Sequence, residues 1–322
     1  MVPDFTLGAT SFLELLMFAF TLRRLLGMVA VLWCVVTITF LLVWVAPGDP
    51  FARERSIPEA IEKQLRARYK VDGSLWAQYA DYLADLLRGD LRISMKYRDR
   101  SVNQLLADGL PVSATLGIAA FLLATTGGIW LGATAAVRQH TWIDTGAMFG
   151  ALALISVPTF VVGPLLALLL GIKLRWLPVG GWSSWSSVIL PAVTLAGPYT
   201  AYIARLMRSS LLEVLGQDFI RTARAKGLSE TRAVYSHGLK VAILPVVSFL
   251  GPLAANLLTG SLVVETIFNI PGAGSYFVQS ILNSDRYLLL GVTIVYCTLL
   301  IVLNFCSDLA YTWLDRRIRF DG

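Results

Sequence analysis

No charged side chain interrupts residues 109–137, which read GLPVSATLGIAAFLLATTGGIWLGATAAV. A helix needs about 20 apolar residues to cross the hydrocarbon core of a bilayer, and this stretch is longer than that. Because no water is available inside a bilayer, a helix is the form in which such a segment satisfies its own backbone hydrogen bonds. The stretch therefore predicts a transmembrane helix.

Five further charge-free stretches lie on either side of it, at residues 25–46, 145–172, 176–204, 241–264 and 287–307. The chain has 322 residues, of which 56% are hydrophobic and 15% charged. A water-soluble domain of this size could not bury so much apolar surface. These features predict an all-α integral membrane protein with six transmembrane helices, the first of them at residues 21–46.

Basic side chains are distributed unevenly over the segments between these stretches. Lys and Arg accumulate on the cytoplasmic side of membrane proteins, chiefly in short loops. One set of segments carries Arg23, Arg24, Arg138, Arg205, Arg208, Arg221, Arg224, Lys226, Arg232, Lys240, Arg316, Arg317 and Arg319, whereas the short segments of the other set carry Lys173, Arg175 and Arg286. The long segment 51–108 is nearly charge-balanced, and long loops cross regardless of charge. The pattern predicts both termini, including the tail 317–322, in the cytoplasm.

The net charge of +6 does not indicate nucleic-acid binding, because much of the excess lies beside membrane spans. Cys34, Cys297 and Cys306 all lie in apolar stretches, where small packing residues are expected instead of a disulfide or a metal site. Residues 1–20 form an extension whose apolar stretch, residues 11–20, is too short to span and contains Glu14. It is interpreted either as an interfacial helix or as the result of a start codon assigned too early, with Met17 as the true first residue.

The segment 47–108 is predicted to be a small helical unit on the outer side. Ala46-Pro-Gly-Asp-Pro50 ends the first span, and helical spacing follows within residues 57–91.

Within the main domain, residues 109–316, six prolines are expected to kink helices that line a cavity: Pro111, Pro164, Pro191, Pro198, Pro245 and Pro252. The stretch 176–182, with Trp at both ends and Gly180-Gly181, is interpreted as an interfacial anchor and turn, with a role in substrate passage as the alternative.

The loop 205–240 is the longest break between spans on the predicted cytoplasmic side. Asp218 begins a run of helix formers that Gly227 ends, and Ser229 can cap a second helix that leads into the fifth span. Two short helices joined by a turn would form a compact projection beneath the membrane. The residues alone leave two interpretations open: insertion into a groove of another protein, or contact with anionic membrane lipid.

Residues 218–245 resemble the EAA loop of ABC-importer permeases, through Arg221-Thr-Ala-Arg-Ala-Lys-Gly-Leu228, His237-Gly-Leu-Lys240 and Leu244-Pro245. This form of the loop is similar to that of the oligopeptide and dipeptide permease family, and closest to the oligopeptide type. From Met17 onward the resemblance extends through Thr21-Leu-Arg-Arg24, Ala46-Pro-Gly-Asp-Pro50, Tyr97 with Ser101-Val-Asn103, Pro111-Val-Ser113, Trp176-Leu-Pro178, Val264-Glu-Thr-Ile267, Ile270-Pro-Gly272 and Leu314-Asp-Arg-Arg-Ile318. Ala223-Arg224-Ala225 stands in place of the strict Glu-Ala-Ala triplet.

The resemblance implies a multi-pass permease of the type I importer fold in the bacterial inner membrane, forming half of the pathway for oligopeptides or dipeptides. Its expected partners are a second homologous permease, two ATPase subunits that bind the ATP and Mg, a periplasmic or lipid-anchored substrate-binding protein, and the peptide. Residues of the loop that would contact the ATPase subunit are Arg221, Ala223, Arg224, Ala225, Lys226 and Gly227. No cofactor is expected in this chain itself.

Other functions find less support in the residues. The chain has no phosphate-binding loop of the Gly-x-x-x-x-Gly-Lys-Ser/Thr type, so energy from ATP would have to come through a partner. A proton-coupled carrier is disfavoured because the spans lack ionisable residues in their interiors. A passive channel or another secondary carrier remains an alternative that would work without ATPase partners. An intramembrane enzyme is disfavoured because His140 and His237 lie outside the spans and Ser275 lacks a base. Nickel, glutathione, opine and sugar remain alternative cargoes.

Overall fold

The computed structural model describes residues 6–45, 64, 68–69, 73–97, 99–259 and 261–314. The longer helices in this part of the chain are α1 (Thr6–Val45), α2 (Leu75–Leu87), α3 (Val102–Val137), α4 (Trp142–Ser156), α5 (Thr159–Leu166) and α6 (Ser186–Leu215). They are followed by α7 (Asp218–Ala225), α8 (Glu230–Arg232), α9 (Leu239–Ala242), α10 (Leu244–Thr259), α11 (Leu262–Ile267), α12 (Ala273–Leu282) and α13 (Arg286–Leu314). Two π-helical turns, Ala167–Lys173 and Ala233–Gly238, continue α5 and α8.

The predicted membrane fold is confirmed. Within the described ranges, five helices are long and apolar enough to cross a membrane, and a sixth crossing is available if the bent pair α4–α5 counts as one span. Contacts between α3 and α6 advance along both helices together, from Gly128 with Ile203 to Gly132 with Met207, so these two helices run in the same direction. We call the end of the bundle that carries residues 216–243 the loop end, and the other the opposite end.

Helices α3 and α6 pack closely against each other. A Cβ atom on Gly132 of α3 would lie 2.3 Å from the Ala204 carbonyl oxygen and 2.8 Å from the Met207 Cβ. On α6, Ala204 and Met207 are fully buried in this contact. Small residues allow helix backbones to approach closely inside a membrane, where the hydrophobic effect does not drive helices together. The two helices therefore pack as one unit from the middle of the membrane to the loop end.

The third span differs from the single helix predicted at residues 145–172. Helices α4 and α5 are bent by 107° relative to each other. The break falls at Val157 and Pro158, which have ψ values of 121° and 143° instead of helical ones. Proline disfavours the α conformation of the residue before it and has no backbone N–H to donate. Pro158 was absent from the set of expected kinks, whereas α3, α5, α6 and α10 contain Pro111, Pro164, Pro191, Pro198 and Pro252 within the helix.

The fourth and fifth spans also have boundaries that differ from the prediction. Helix α6 begins at Ser186 instead of residue 176, because Gly181 adopts a φ of +85° and donates its N–H to the Phe268 carbonyl at 2.8 Å. It continues past Ala204 to Leu215, since Leu211 and Val214 are buried and hold this last part against the core. The fifth candidate span extends to Ile267 and so includes Glu265, a carboxylate that the prediction placed just outside it. The absence of ionisable residues therefore no longer argues against a carrier.

Helix α1 is continuous from Thr6 to Val45. Residues 6–20 thus extend the helix of the first span, and their position at the membrane interface stays a prediction. A start at Met17 stays a prediction. The motif at residues 46–50 and the tail 317–322 lie outside the described residues.

At the opposite end, α2 packs against α1 through aromatic side chains. Phe40 is fully buried, stacks on Trp44 with ring centroids 4.3 Å apart, and meets the edge of Tyr79 at 5.2 Å. The Trp44 indole donates a hydrogen bond of 2.6 Å to Gln78. Residues 57–91 were predicted to be helical, and the described helix in that range is Leu75–Leu87, capped by Ser74. Within the predicted range, residues 57–63, 65–67 and 70–72 lie outside the described residues.

A buried ion pair fixes the loop that follows α2. The Arg92 guanidinium donates to Asp85 at 2.8 Å and to the Tyr287 hydroxyl at 2.8 Å, and both charged side chains are nearly inaccessible. It also lies over the rings of Tyr82 and Tyr287, 5.5 and 5.0 Å from their centroids. Burial raises the pKa of Tyr82, whose hydroxyl therefore stays neutral beside the guanidinium. This cluster attaches α2 to the start of α13.

Candidate functional site

The loop between α6 and α10 is shorter than predicted. Residues 205–215 continue α6, so the loop begins at Gly216 and ends at Ile243. Met207 and Leu211 are fully buried against the core, and their neighbours are good helix formers, so the helix continues. The loop is therefore joined directly to two membrane-spanning helices, with α6 before it and α10 after it.

Helix α7 is anchored to the bundle by one apolar side chain. Ile220 is fully buried in the same cluster as Val214 of α6 and Val234 of the following π-helical turn. The next residues point away from the bundle. Arg221, Arg224, Ala225, Lys226 and Gly227 are exposed, and Ala223 is half-buried. All six predicted contact residues thus lie together on or just beyond one short helix.

Gly227 ends α7 as predicted. Its φ is +84°, and its N–H donates to the Arg224 carbonyl at 2.9 Å, while the Leu228 N–H donates to the Ala223 carbonyl at 3.3 Å. This is the Schellman arrangement, in which a left-handed residue turns the chain back over the helix end. A side chain here would meet no atom within 4 Å, so conformation, and not lack of space, favours glycine.

The second part of the loop leads back into the membrane. Helix α8 begins at Glu230, directly after the predicted cap Ser229, whose carbonyl accepts the Ala233 N–H at 2.9 Å. A π-helical turn follows, in which Ala233 and Val234 are buried. Together with α7 it forms the compact projection that the sequence predicts. Phe219 and Tyr235 are 40% and 51% exposed on it, and they provide an apolar component beside the basic residues.

A buried ion pair at the base of this projection was not found from the sequence. Arg208 of α6 donates to Asp144 of α4 from Nε at 2.6 Å and from Nη2 at 2.8 Å. The His140 backbone N–H donates to the same carboxylate at 3.1 Å. The Asp144 side chain is 5% exposed and that of Arg208 26% exposed. The available signal was an acid at the start of one predicted span, Asp144, and two bases at the end of another, Arg205 and Arg208.

A cavity of about 420 Å³ with a mixed polar and apolar lining lies beside this pair. It is lined by Met148, Tyr202, Arg205, Leu206, Arg208 and Ser209. The ring of Tyr202 packs on Phe249 of α10 with centroids 4.5 Å apart. The two helices that flank the loop thus contact each other next to a cavity with a basic wall.

At the opposite end, the stretch 176–182 forms a turn against α11. The Gly181 N–H bonds to the Phe268 carbonyl, and a Cβ on Gly180 would lie 2.4 Å from the same oxygen. Trp176 is 71% exposed, which suits an anchor at a membrane surface. These contacts agree with the predicted anchor and turn, and a role in substrate passage stays untested.

Comparison with known proteins gives a consistent answer. Residues 128–320 match the family described as "Binding-protein-dependent transport system inner membrane component", and residues 17–116 match its N-terminal companion family. The oligopeptide transport system permease proteins OppB of Salmonella typhimurium and of Escherichia coli are each 44% identical over 306 residues, which is 94% of this chain and 100% of theirs. The dipeptide permease DppB of Bacillus subtilis is 43% identical over 300 residues, covering 93% and 97%.

Two solved structures share the fold. One is described as inward-facing conformations of the MetNI methionine ABC transporter, with a TM-score of 0.56 and 16% identity over 66% of this chain and 97% of that chain. The other is an amino acid ABC transporter with histidines, with a TM-score of 0.52 and 18% identity over 66% and 94%. The fold, the loop and these relatives agree, and the chain belongs to the family of binding-protein-dependent transport system inner membrane components.

Proposed function

We propose that this chain forms half of the translocation pathway of an ATP-driven importer for oligopeptides or dipeptides, and that the loop 216–243 transmits the motion of an ATPase subunit to the pathway. The observation that carries the proposal is the construction of the loop. Ile220 fixes α7 to the bundle, five of the six predicted contact residues are exposed and the sixth is half-buried, and the loop continues into α6 and α10. A displacement of α7 is therefore passed to two spans.

The orientation follows from this role. The loop end lies in the cytoplasm, where an ATPase subunit is available, and the basic residues counted in the sequence support that side. Both termini are then cytoplasmic, and the protein lies in the bacterial inner membrane. A second homologous permease completes the pathway, and two ATPase subunits bind the ATP and Mg. This chain supplies no catalytic group for hydrolysis.

The cargo is inferred from the relatives. Those reported above are named oligopeptide and dipeptide permeases and are similar over almost the whole chain, which supports a peptide over nickel, glutathione, opine or sugar.

A periplasmic or lipid-anchored binding protein would deliver the peptide to the opposite end, which is then the outer side. The α2 segment would help to receive that protein or cap the pathway, and loss of residues 73–91 without loss of transport would contradict this role.

The test is ATP-dependent uptake of a labelled oligopeptide in cells, with wild type compared to Gly227→Asp. Aspartate at a φ of +84° strains the turn that ends α7 and displaces the contact surface. Gly216→Asp is the matched control, because it adds the same charge to the same loop at a φ of −80°. Insertion of all three proteins in the membrane is verified first. We expect uptake to collapse in Gly227→Asp and to persist in Gly216→Asp.

Two other results would change the conclusion. If wild type imports no peptide but Gly227→Asp still uncouples ATP hydrolysis in the purified complex, the importer is retained and the cargo is wrong. If neither uptake nor ATP hydrolysis responds to Gly227→Asp, the role of the loop is wrong.

A further inference from the structure

Glu265 is a fully buried carboxylate at the end opposite to the loop. Its Oε1 accepts hydrogen bonds from the Ser261 hydroxyl and, at 2.7 Å, from the Ser113 hydroxyl of α3. Its Oε2 accepts the Ser275 backbone N–H, in the first turn of α12, at 3.1 Å. One side chain thus joins α3, α11 and α12.

The hydrogen atoms of this network point toward the carboxylate. The Ser113 hydroxyl oxygen accepts the Ala273 N–H at 2.9 Å, so its own hydrogen is directed to Glu265. The Ser275 donor is a backbone amide and can only donate. The start of α12 also presents the positive end of a helix dipole. The site therefore suits a carboxylate, and a side-chain amide would place its NH2 group against donors.

The neighbouring turn is shaped around the same group. A Cβ atom on Gly272 would lie 2.2 Å from Glu265 Oε2, and one on Gly274 would lie 2.8 Å from it. On α3, a Cβ on Gly109 would lie 2.8 Å from the Ala273 nitrogen. Side chains at these positions would push α12 away from the carboxylate and from α3. Small residues and a buried acid thus jointly determine how closely the turn after α11 approaches α3.

We propose that Glu265 is a positioning residue that holds the outer mouth of the pathway closed by tying α11 and α12 to α3, and that the Ser113–Glu265 bond breaks when the mouth opens. This proposal rests on the proposed function, from which the outer side is taken. Helix α11 forms the end of the fifth candidate span and α12 leads into the sixth, so separating them from α3, the second span, parts the outer ends of three spans. Energy for that step comes from closure of the ATPase subunits or from the loaded binding protein.

If the Ser113–Glu265 contact holds the outer mouth closed, thermodynamic linkage connects the loss of this contact to the rate of ATP hydrolysis. Whatever lowers the free energy of opening the outer mouth raises the population of the open state before the binding protein arrives. ATP hydrolysis in the absence of the binding protein should then increase. Hydrogen bonds to a charged group are strong enough for an increase of about tenfold.

The experiment uses the complete importer reconstituted in lipid nanodiscs. ATP hydrolysis is measured with and without the binding protein and peptide for wild type, Glu265→Gln, Ser113→Ala and Ser275→Ala. The first two variants should raise unstimulated hydrolysis, Glu265→Gln by about tenfold, and reduce the ratio of stimulated to unstimulated rate. Ser275→Ala is the control, because that hydroxyl donates to the Gly272 carbonyl at 2.8 Å and not to Glu265.

An unchanged ratio in Glu265→Gln, or a proportional loss of both rates, would overturn the proposal and leave Glu265 with a structural role. If Glu265→Gln does not assemble, the ratio of stimulated to unstimulated hydrolysis in Ser113→Ala tests the proposal by the same criterion. Stimulation of the wild-type complex by the binding protein and peptide tests the proposed function separately, so the two failures are distinguishable.

Discussion

Arg208 donates two hydrogen bonds to Asp144, and this pair connects α6 to α4 at the base of the loop 216–243. Both guanidinium contacts are below 3 Å, and the carboxylate is almost inaccessible. Removing Arg208 leaves the Asp144 charge buried, which costs about 3 kcal/mol, whereas removing Asp144 leaves a partly exposed Arg208 and costs less. We expect Arg208→Gln and Asp144→Asn each to lower the thermal unfolding midpoint of the purified protein.

The double variant distinguishes the pair from two independent effects. If the ion pair accounts for the loss, Asp144→Asn combined with Arg208→Gln destabilises much less than the sum of the single changes. Additive losses would show that each residue acts through other contacts.

The exposed side of α7 should be sensitive to a new negative charge. Ala225 is exposed and lies beside Arg224 and Lys226. If this surface enters a groove of the ATPase subunit, Ala225→Glu buries an unpaired carboxylate there and weakens binding by about tenfold or more. The measurement is the concentration of ATPase subunit needed for half-maximal assembly. Gln139→Glu adds the same charge in the turn between α3 and α4, at the same end of the bundle, and should leave assembly unchanged.

The contact between α3 and α6 should not tolerate a methyl group. Gly132→Ala places a Cβ 2.3 Å from the Ala204 carbonyl oxygen, which forces the helices apart and costs about 1–3 kcal/mol. The expected result is a lower unfolding midpoint in detergent. Gly150→Ala in α4 is the control, because a Cβ there meets no atom within 4 Å. Equal effects of the two substitutions would contradict close packing at Gly132.

The buried Arg92 should stabilise the segment around α2 locally. Replacing it by methionine retains much of the apolar stem but removes the guanidinium that binds Asp85 and the Tyr287 hydroxyl. Loss of one partner of such a pair costs about 3–5 kcal/mol. Hydrogen exchange should therefore accelerate in α2, while the amides of α7 keep their protection. Unchanged exchange in α2 would show that the aromatic contacts suffice.

Features that depend on neighbouring residues were predictable from the sequence. Charge-free stretches indicated the spans because the bilayer excludes charge, and Gly227 indicated the end of α7 because a left-handed turn favours glycine. Boundaries were less accurate. The bend at Pro158 and the start of α6 at Ser186 depend on a backbone conformation and on a contact with Phe268, which hydrophobicity does not report.

Features that join distant parts of the chain were not predictable. Ser113 and Glu265 are separated by 152 positions and Arg92 and Tyr287 by 195, so no local pattern indicates that they meet. Both motifs around Ser113 and Glu265 contributed to the family resemblance. That resemblance gave them no physical role, and their shared network became visible only when the helices were assembled.

The length of α6 has a consequence for how far a small motion can reach. Its 30 residues extend over about 45 Å, and its two prolines, Pro191 and Pro198, both lie in the half away from the loop. The proline-free part from Tyr199 to Leu215 is therefore a stiff arm of about 25 Å with its softest point near the middle of the membrane. A tilt of this arm by about 10° would displace Leu215 by about 4 Å and still leave the first turns of α6 in place. The same helix thus contains both the stiff segment that tilts and the proline-containing segment about which it tilts.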